Sequence, residues 1–213
     1  MPTANSCVLI VFAKAPVPGT VKTRLSPAVD GETAALLHTA LVERALDTAN
    51  RSELAAIELC CAPDSRHGFF ETCAEDFDVA LTEQGEGNLG ERMLRTLARA
   101  LVSHSTAIII GADCPALTPE HITGAARTLS AHDVVLTPAE DGGYVLIGAR
   151  RVDEKMFDGI EWGSDKVLAQ QCRNLDQSGF TWHQMPTLWD VDRPEDLPRL
   201  KALKPVFEFF WPC

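Results

Sequence analysis

The sequence predicts an α/β fold, a three-layer α/β/α sandwich around a mainly parallel mixed sheet. Three observations carry that expectation. Cys7 to Ala13 is a continuous apolar run, the pattern of a strand buried on both faces, and it leads into a loop rich in Pro and Gly. Strand-like and helix-periodic segments then alternate along the chain, as βαβ units require. The strand-like segments Val134 to Thr137 and Tyr144 to Ala149 lie too close together for a helical crossover, which implies an antiparallel excursion in an otherwise parallel sheet.

The elements follow in order. Gly31 to Asn50 carries Leu36, Leu37, Ala40, Leu41, Ala45 and Leu46 at helical spacing, and Leu54 to Cys61 returns to a strand-like run. Next come a helix over Ser65 to Glu75, a short strand around Val79 to Leu81, a helix over Leu89 to Ser103 and a strand at Ala107 to Gly111. Pro119 to Ser130 reads as a helix with proline in its first turn. Beyond the hairpin, the pattern predicts a helix over Ser164 to Leu175, a strand over Phe180 to Pro186 and a last helix over Pro194 to Leu203 capped by Asp192. The apolar and aromatic tail from Val206 to Cys213 is expected to dock on the body or on a second copy, which would make a homodimer. No repeat, linker or low-complexity segment interrupts the order, so residues 1–213 are expected to form one domain.

Composition excludes several functions. A formal charge of −11 argues against a general nucleic-acid binder, because phosphate backbones attract a basic face. No apolar run approaches the roughly 18 residues that span a bilayer, and Cys7 to Ala13 is too short for a secretory leader, so a cytoplasmic location is expected. The seven cysteines are odd in number and form no C-x-x-C pair, which fits reduced thiols and gives neither a zinc site nor a disulfide framework.

In open α/β sheets, ligands bind beyond the carboxyl ends of the strands, so the loops there are the places to look for chemistry. The first loop, Lys14 to Leu25, concentrates the cations Lys14, Lys22 and Arg24 in an acidic chain. Gly19 permits close backbone approach to a ligand, and Arg24 as a fork and Lys22 as a point charge suit a di- or triphosphate. A solvated basic turn is the competing account. In the second loop, Asp113 follows the most apolar strand and could ligate a divalent cation beside phosphate oxygens and water, or could merely start a turn with Pro115. Cys114 reads as a packed thiol. In the third loop, Asp141 precedes Gly142 and Gly143, whose backbone could approach an acceptor or sugar, and the single tyrosine, Tyr144, follows. The same residues also form a hairpin turn signature. In the fourth, Asp190 and Asp192 would share a face if extended, one meeting the metal while the other caps the next helix. Asn88, in a Gly-rich stretch, could cap a helix or meet a base or sugar.

Taken together, FAKAPVPGTVKTRL, QGEGNLGERM, GADCPALT, DGGYVLIG and LWDVDRPEDL resemble the bacterial glycosyltransferase A-like family, from about Val8 to Leu200. The resemblance implies the nucleotide-diphospho-sugar transferase (GT-A) fold, shared with guanylyltransferases for 2-phospholactate and for the molybdenum cofactor. It implies a transferase that takes a nucleotide sugar or nucleoside triphosphate and a small-molecule acceptor, with Mg²⁺ or Mn²⁺. Lys22, Arg24 and Asp141 are then expected to be catalytic. Lys14, Gly19, Asn88, Gly142, Gly143 and Tyr144 would bind substrate, and Asp113, Asp190 and Asp192 the metal. The Lys22-Thr23-Arg24-Leu25 segment is similar to the phosphate-handling loop of the phospholactate enzymes. Glycosyltransferases of this fold usually present an Asp-x-Asp motif where Gly111-Ala112-Asp113 has one aspartate, which is nearer the nucleotidyltransferase pattern. Glycosyl transfer, with Asp141 as base, and nucleotidyl transfer both remain open, as does a non-catalytic sensor of nucleotide sugars.

Overall fold

The computed structural model describes residues 6–203 apart from positions 27, 53 and 55. The expected tail contact from Val206 to Cys213 lies outside these residues. The strands are β1 (Cys7–Lys14), β2 (Ala56–Ala62), β3 (Ala80–Glu83), β4 (Thr106–Gly111), β5 (Val134–Pro138), β6 (Tyr144–Ala149) and β7 (Trp182–Gln184). The helices are α1 (Gly31–Arg51), α2 (Gly68–Phe77), α3 (Leu89–Ala100), α4 (Pro119–Thr128), α5 (Val167–Gln177) and α6 (Leu197–Lys201).

One sheet holds all seven strands in the order β3-β2-β1-β4-β6-β5-β7. Every neighbouring pair is parallel except those of β6, which runs antiparallel to both β4 and β5. The expected excursion is therefore real, and β6 inserts between β4 and its own hairpin partner. Side-chain alternation along the central strands builds the three layers. Leu9 and Val11 of β1 join Leu59, Ile108 and Ile110 against Val42 and Leu46 of α1, Phe70 of α2 and Ile122 of α4. Val8 and Ile10 point the other way, toward Met93 and Leu97 of α3 and Leu175 of α5. Apolar side chains are thus needed along β1 from Cys7 to Ala13, which is why that run shows no polar alternation before Lys14 ends the strand.

Several boundaries shift by a few residues from the sequence reading, three of them for a visible cause. Helix α2 begins at Gly68 because His67 Nδ1 accepts from Phe69 N–H and caps it. The last helix is a 3-10 turn over Pro194–Asp196 followed by the short α6. Asp192 does not cap it: Asp196 Oδ2 instead accepts from the backbone N–H groups of Asp192 and Arg193. Strand β7 is shorter than expected because it pairs only with β5 over three residues. A smaller cluster of Leu25, Leu37, Leu41, Trp189, Val191, Leu197 and Leu200 ties the first loop and α1 to the segment after β7.

Candidate active site

A cavity of about 430 Å³ opens at the carboxyl ends of β1 and β4, walled by the first loop, the start of α3, β6 and the segment after β7. Of the residues singled out in the sequence, Lys14, Lys22, Arg24, Asp113, Tyr144, Asp190 and Asp192 line it, whereas Gly19, Asn88, Asp141, Gly142 and Gly143 do not.

Lys22 is placed by an unusual backbone. Its φ of 50° is left-handed, a conformation that costs an L-residue on the order of 1–2 kcal/mol. That twist turns the side chain inward, where it is only 4% exposed. Its Nζ lies 2.6 Å from Asp113 Oδ1 and donates to the Val191 carbonyl at 2.6 Å. Val191 N–H in turn donates to the Asp113 carbonyl at 2.9 Å. Lys22 is therefore a keystone between the β1, β4 and β7 loops, and its ammonium is committed to the protein rather than free for phosphate.

Asp113 is two-sided. Oδ1 is shut away from solvent beside Lys22, yet the side chain as a whole is 48% exposed, so the other oxygen faces the cavity. Packing raises its pKa, but the Lys22 ammonium, followed by His38 and Lys14, outweighs this and holds the carboxyl below its ordinary range. His38 was not singled out by sequence. It is buried on α1, and its Nε2 meets the Lys14 carbonyl at 3.0 Å while Nδ1 lies 4.0 Å from Asp113 Oδ1. The carbonyl can only accept, so Nε2 carries the proton. Burial pushes the ring pKa down, against the opposing charge of Asp113.

The two aspartates after β7 differ from each other. Asp192 Oδ2 is engaged by Arg24 Nη1 at 2.5 Å, which leaves it less able to serve a metal than expected. Arg24 remains half-exposed at the cavity wall, its charge favoured first by Asp192 and then by Asp141 and Asp190. Asp190 has no such partner among the described residues. Burial, then the charges of Asp141 and Asp113, raises its pKa to about 6. Asp190 thus carries the repulsion of two neighbouring carboxylates, which the smaller effect of the Lys22 charge only partly offsets. Among the described residues, however, no group of three or more His, Cys, Asp or Glu side chains is arranged to hold a metal ion.

The third loop is built differently from its expected role. Asp141 Oδ1 accepts from Gly143 N–H at 2.9 Å, closing the turn. Gly142 has φ 90°, and a Cβ there would come within 2.2 Å of the Asp165 carbonyl oxygen. The close approach that demands glycine is thus to the protein's own backbone rather than to a ligand. The Tyr144 ring lines the cavity, but its hydroxyl donates to Gln171 Oε1 at 3.1 Å, and burial pushes its pKa well above the ordinary value. Gly19, φ 78°, shapes the first loop from outside the cavity. Asn88 closes a capping box with Glu91 at the start of α3. Cys114 is a packed thiol as expected, pushed up to about 12 by burial.

Arg92, also missed by sequence, lines the cavity from the first turn of α3. Its Nη1 donates at 2.7 Å to Oε1 of buried Gln84, whose Nε2 donates to the carbonyls of Ala13 and Cys60. The available signal was an arginine near a helix N-terminus, where the helix dipole disfavours a cation.

A mixed sheet in this order, with a charged cavity at its strand ends, is the fold of the nucleotide-diphospho-sugar transferases. A protein of Desulfovibrio desulfuricans G20 assigned as such a transferase is 29% identical, with a TM-score of 0.83 over 97% of this chain and 91% of that chain. Two more distant structures share the fold alone. One is 4-diphosphocytidyl-2C-methyl-D-erythritol synthase of Anaerococcus prevotii, with 11% identity and a TM-score of 0.62 over 94% of this chain and 98% of that one. The other is glucosyl-3-phosphoglycerate synthase of Mycobacterium tuberculosis, solved with Mn²⁺, UDP and glucosyl-3-phosphoglycerate, with 13% identity and a TM-score of 0.51 over 93% and 76%. The chain belongs to the family described as uncharacterized protein conserved in bacteria (DUF2064), whose profile matches residues 45–164. These findings bear out the resemblance read from the five motifs. No protein of curated function matches the chain in sequence. Among the described residues, no helix is long and apolar enough to cross a membrane.

Proposed function

We propose that the chain is a nucleotide-dependent transferase, acting as a metal-dependent glycosyltransferase on a nucleotide-sugar donor and a small-molecule acceptor. The observation that carries this reading is the cavity itself, where Asp113 and Asp190 meet Lys14, Arg24 and Arg92 at the strand ends. The donor set suits Mg²⁺ or Mn²⁺, because magnesium is usually held by one or two carboxylates, substrate phosphates and water. The raised pKa of Asp190, set by burial and neighbouring carboxylates, is what a bound divalent cation would relieve. Asp113 and Asp190 would hold the ion, which would supply charge neutralisation for the departing diphosphate.

The remaining roles fall to the chain's own groups. Arg24 meets charge that develops on the leaving phosphate, and Lys22 fixes Asp113 in place. Asp141 lies outside the cavity lining with Oδ1 taken up by the turn, yet its charge reaches both Asp190 and Arg24, and this supports giving it the role of base through its other oxygen. The single aspartate in Gly111-Ala112-Asp113 favours nucleotidyl transfer as the second reading, with an acceptor phosphate attacking the donor α-phosphorus.

The test is a panel of UDP-, GDP- and dTDP-sugars and free triphosphates with Mg²⁺, Mn²⁺ or EDTA, followed by thermal stabilisation and product analysis. Release of nucleoside diphosphate supports glycosyl transfer, and release of pyrophosphate supports the second reading. A panel in which nothing binds or turns over sinks both.

A further inference from the structure

Beside the cavity described above lies a second one of about 770 Å³, between the first loop, the end of β2 with Pro63 and the loop after β3. Three residues line both cavities: Lys14, Thr20 and Arg92. The seam between them therefore carries two cations and a hydroxyl. Neither cation is neutralised there, since neither forms an ion pair with a carboxylate among the described residues, although Lys14 contributes to the field at Asp113.

Arg92 is also held in place. The buried Gln84 amide is fully used: its two donated bonds tie the ends of β1 and β2 together, and its oxygen fixes one arm of the guanidinium at 2.7 Å. Arg92 Nε donates to the Asn88 carbonyl at 3.4 Å, which leaves Nη2 without a partner among the described residues. Burial disfavours the charged form of this arginine, so it stands half-desolvated without an anion, a cost that a bound oxyanion would offset. A guanidinium with a free edge takes phosphate oxygens with directional hydrogen bonds, as an ammonium cannot.

We propose that Arg92 is a binding residue for a diphosphate lying across the seam, with Lys14 opposite it and Gln84 as the positioning residue. The ligand class follows from the shared lining: Lys14 and Arg92 take an anionic link between two groups, one in each cavity, and Glu83 and Glu86 in the second cavity disfavour further negative charge on the group placed there. This deepens the transferase reading and rests on it for the identity of the two groups, whereas the anion site itself can be tested alone.

The experiment is calorimetric titration of the full chain with pyrophosphate in EDTA. Wild type binds. R92Q weakens binding about 10- to 100-fold, the loss expected for one charge-assisted hydrogen-bonding group. R92K weakens it less, keeping charge without the fork. R99Q removes the same charge from the same helix outside both cavities and leaves binding unchanged. Q84M weakens binding in wild type but adds little in the R92Q background, a non-additivity that a purely structural glutamine would not give. Should Q84M not fold, R92Q and R92K still decide the point. Wild type failing to bind pyrophosphate, R92Q binding within twofold of wild type, or R99Q losing as much as R92Q would each overturn the proposal. Arg92-dependent pyrophosphate binding without turnover of any nucleotide sugar or triphosphate would keep the site and remove the transferase reading.

Discussion

Replacing Lys22 by Met should cost folding stability before it costs anything else. The substitution keeps most of the aliphatic stem but removes the ammonium that neutralises Asp113 at 2.6 Å and donates to the Val191 carbonyl at 2.6 Å. Two oxygens lose their partner, one of them shut away from solvent. Breaking a fully buried pair costs about 3–5 kcal/mol, and an unsatisfied buried acceptor about 1–3 kcal/mol. Because half of the Asp113 side chain reaches solvent, water can compensate part of the loss, and about 3 kcal/mol is the expected figure. For a chain of this length that lowers the melting temperature by roughly 6–12 °C. The left-handed backbone at Lys22 remains strained in the variant, with nothing left to hold it. Thermal and urea unfolding of K22M, D113N and the double variant provide the assay. The double variant should be less destabilised than the sum of the singles by at least about 1 kcal/mol, since each single leaves the other charge unmatched. A K22M protein that melts within a degree or two of wild type, and loses only ligand affinity, would refute the keystone role. It would return Lys22 to the reading of a free phosphate cation.

Three further outcomes are expected. R24A should leave stability nearly unchanged, within about 1 kcal/mol for an exposed ion pair, while lowering turnover of an identified donor by roughly 10²–10³-fold; steady-state kinetics on the folded variant check this. G142A should destabilise by more than about 2 kcal/mol, because the new Cβ meets the Asp165 carbonyl and the backbone is left-handed, and chemical denaturation reads the loss. Asp133 staples β7 to the sheet edge, accepting from Arg151 Nη2 at 3.0 Å and from Thr181 N–H and hydroxyl, and Arg151 leads the interactions that hold its carboxyl down to about 2. With the folded pKa below the unfolded one, its contribution is complete above about pH 4 and is lost as pH falls toward 2. The full shift corresponds to roughly 2 kcal/mol, which screening at this surface edge reduces to about 1 kcal/mol. D133N should accordingly melt lower at pH 6 and converge on wild type near pH 2.

The sequence carried the fold further than it carried the site, and the reason is physical. Strand and helix signals repeat over many residues, so the buried run of β1 and the closeness of β5 to β6 both survive local exceptions. Where the periodic signal is short, as in β7 and α6, boundaries depend on one pairing or one cap, and the Asp192 cap gave way to Asp196. Site chemistry depends on which way a single side chain turns. Lys22 and Arg24 are two residues apart and chemically alike, yet one is 4% exposed inside a three-loop junction and the other stands 53% exposed at the cavity wall. The determinant is the left-handed backbone at Lys22, which residue type alone does not announce. Asp190 and Asp192 do both reach the cavity, as their spacing implies, but Arg24 takes one and leaves the other to carry the repulsion of Asp141 and Asp113. Gly142 and Gly143 are legible as a turn, but the close approach that demands glycine at Gly142 is not, because it comes from residue 165, far along the chain. Arg92 was the reverse case. Its role depends on Gln84, a buried amide whose three bonds join β1, β2 and α3, and only the assembled sheet brings those partners together.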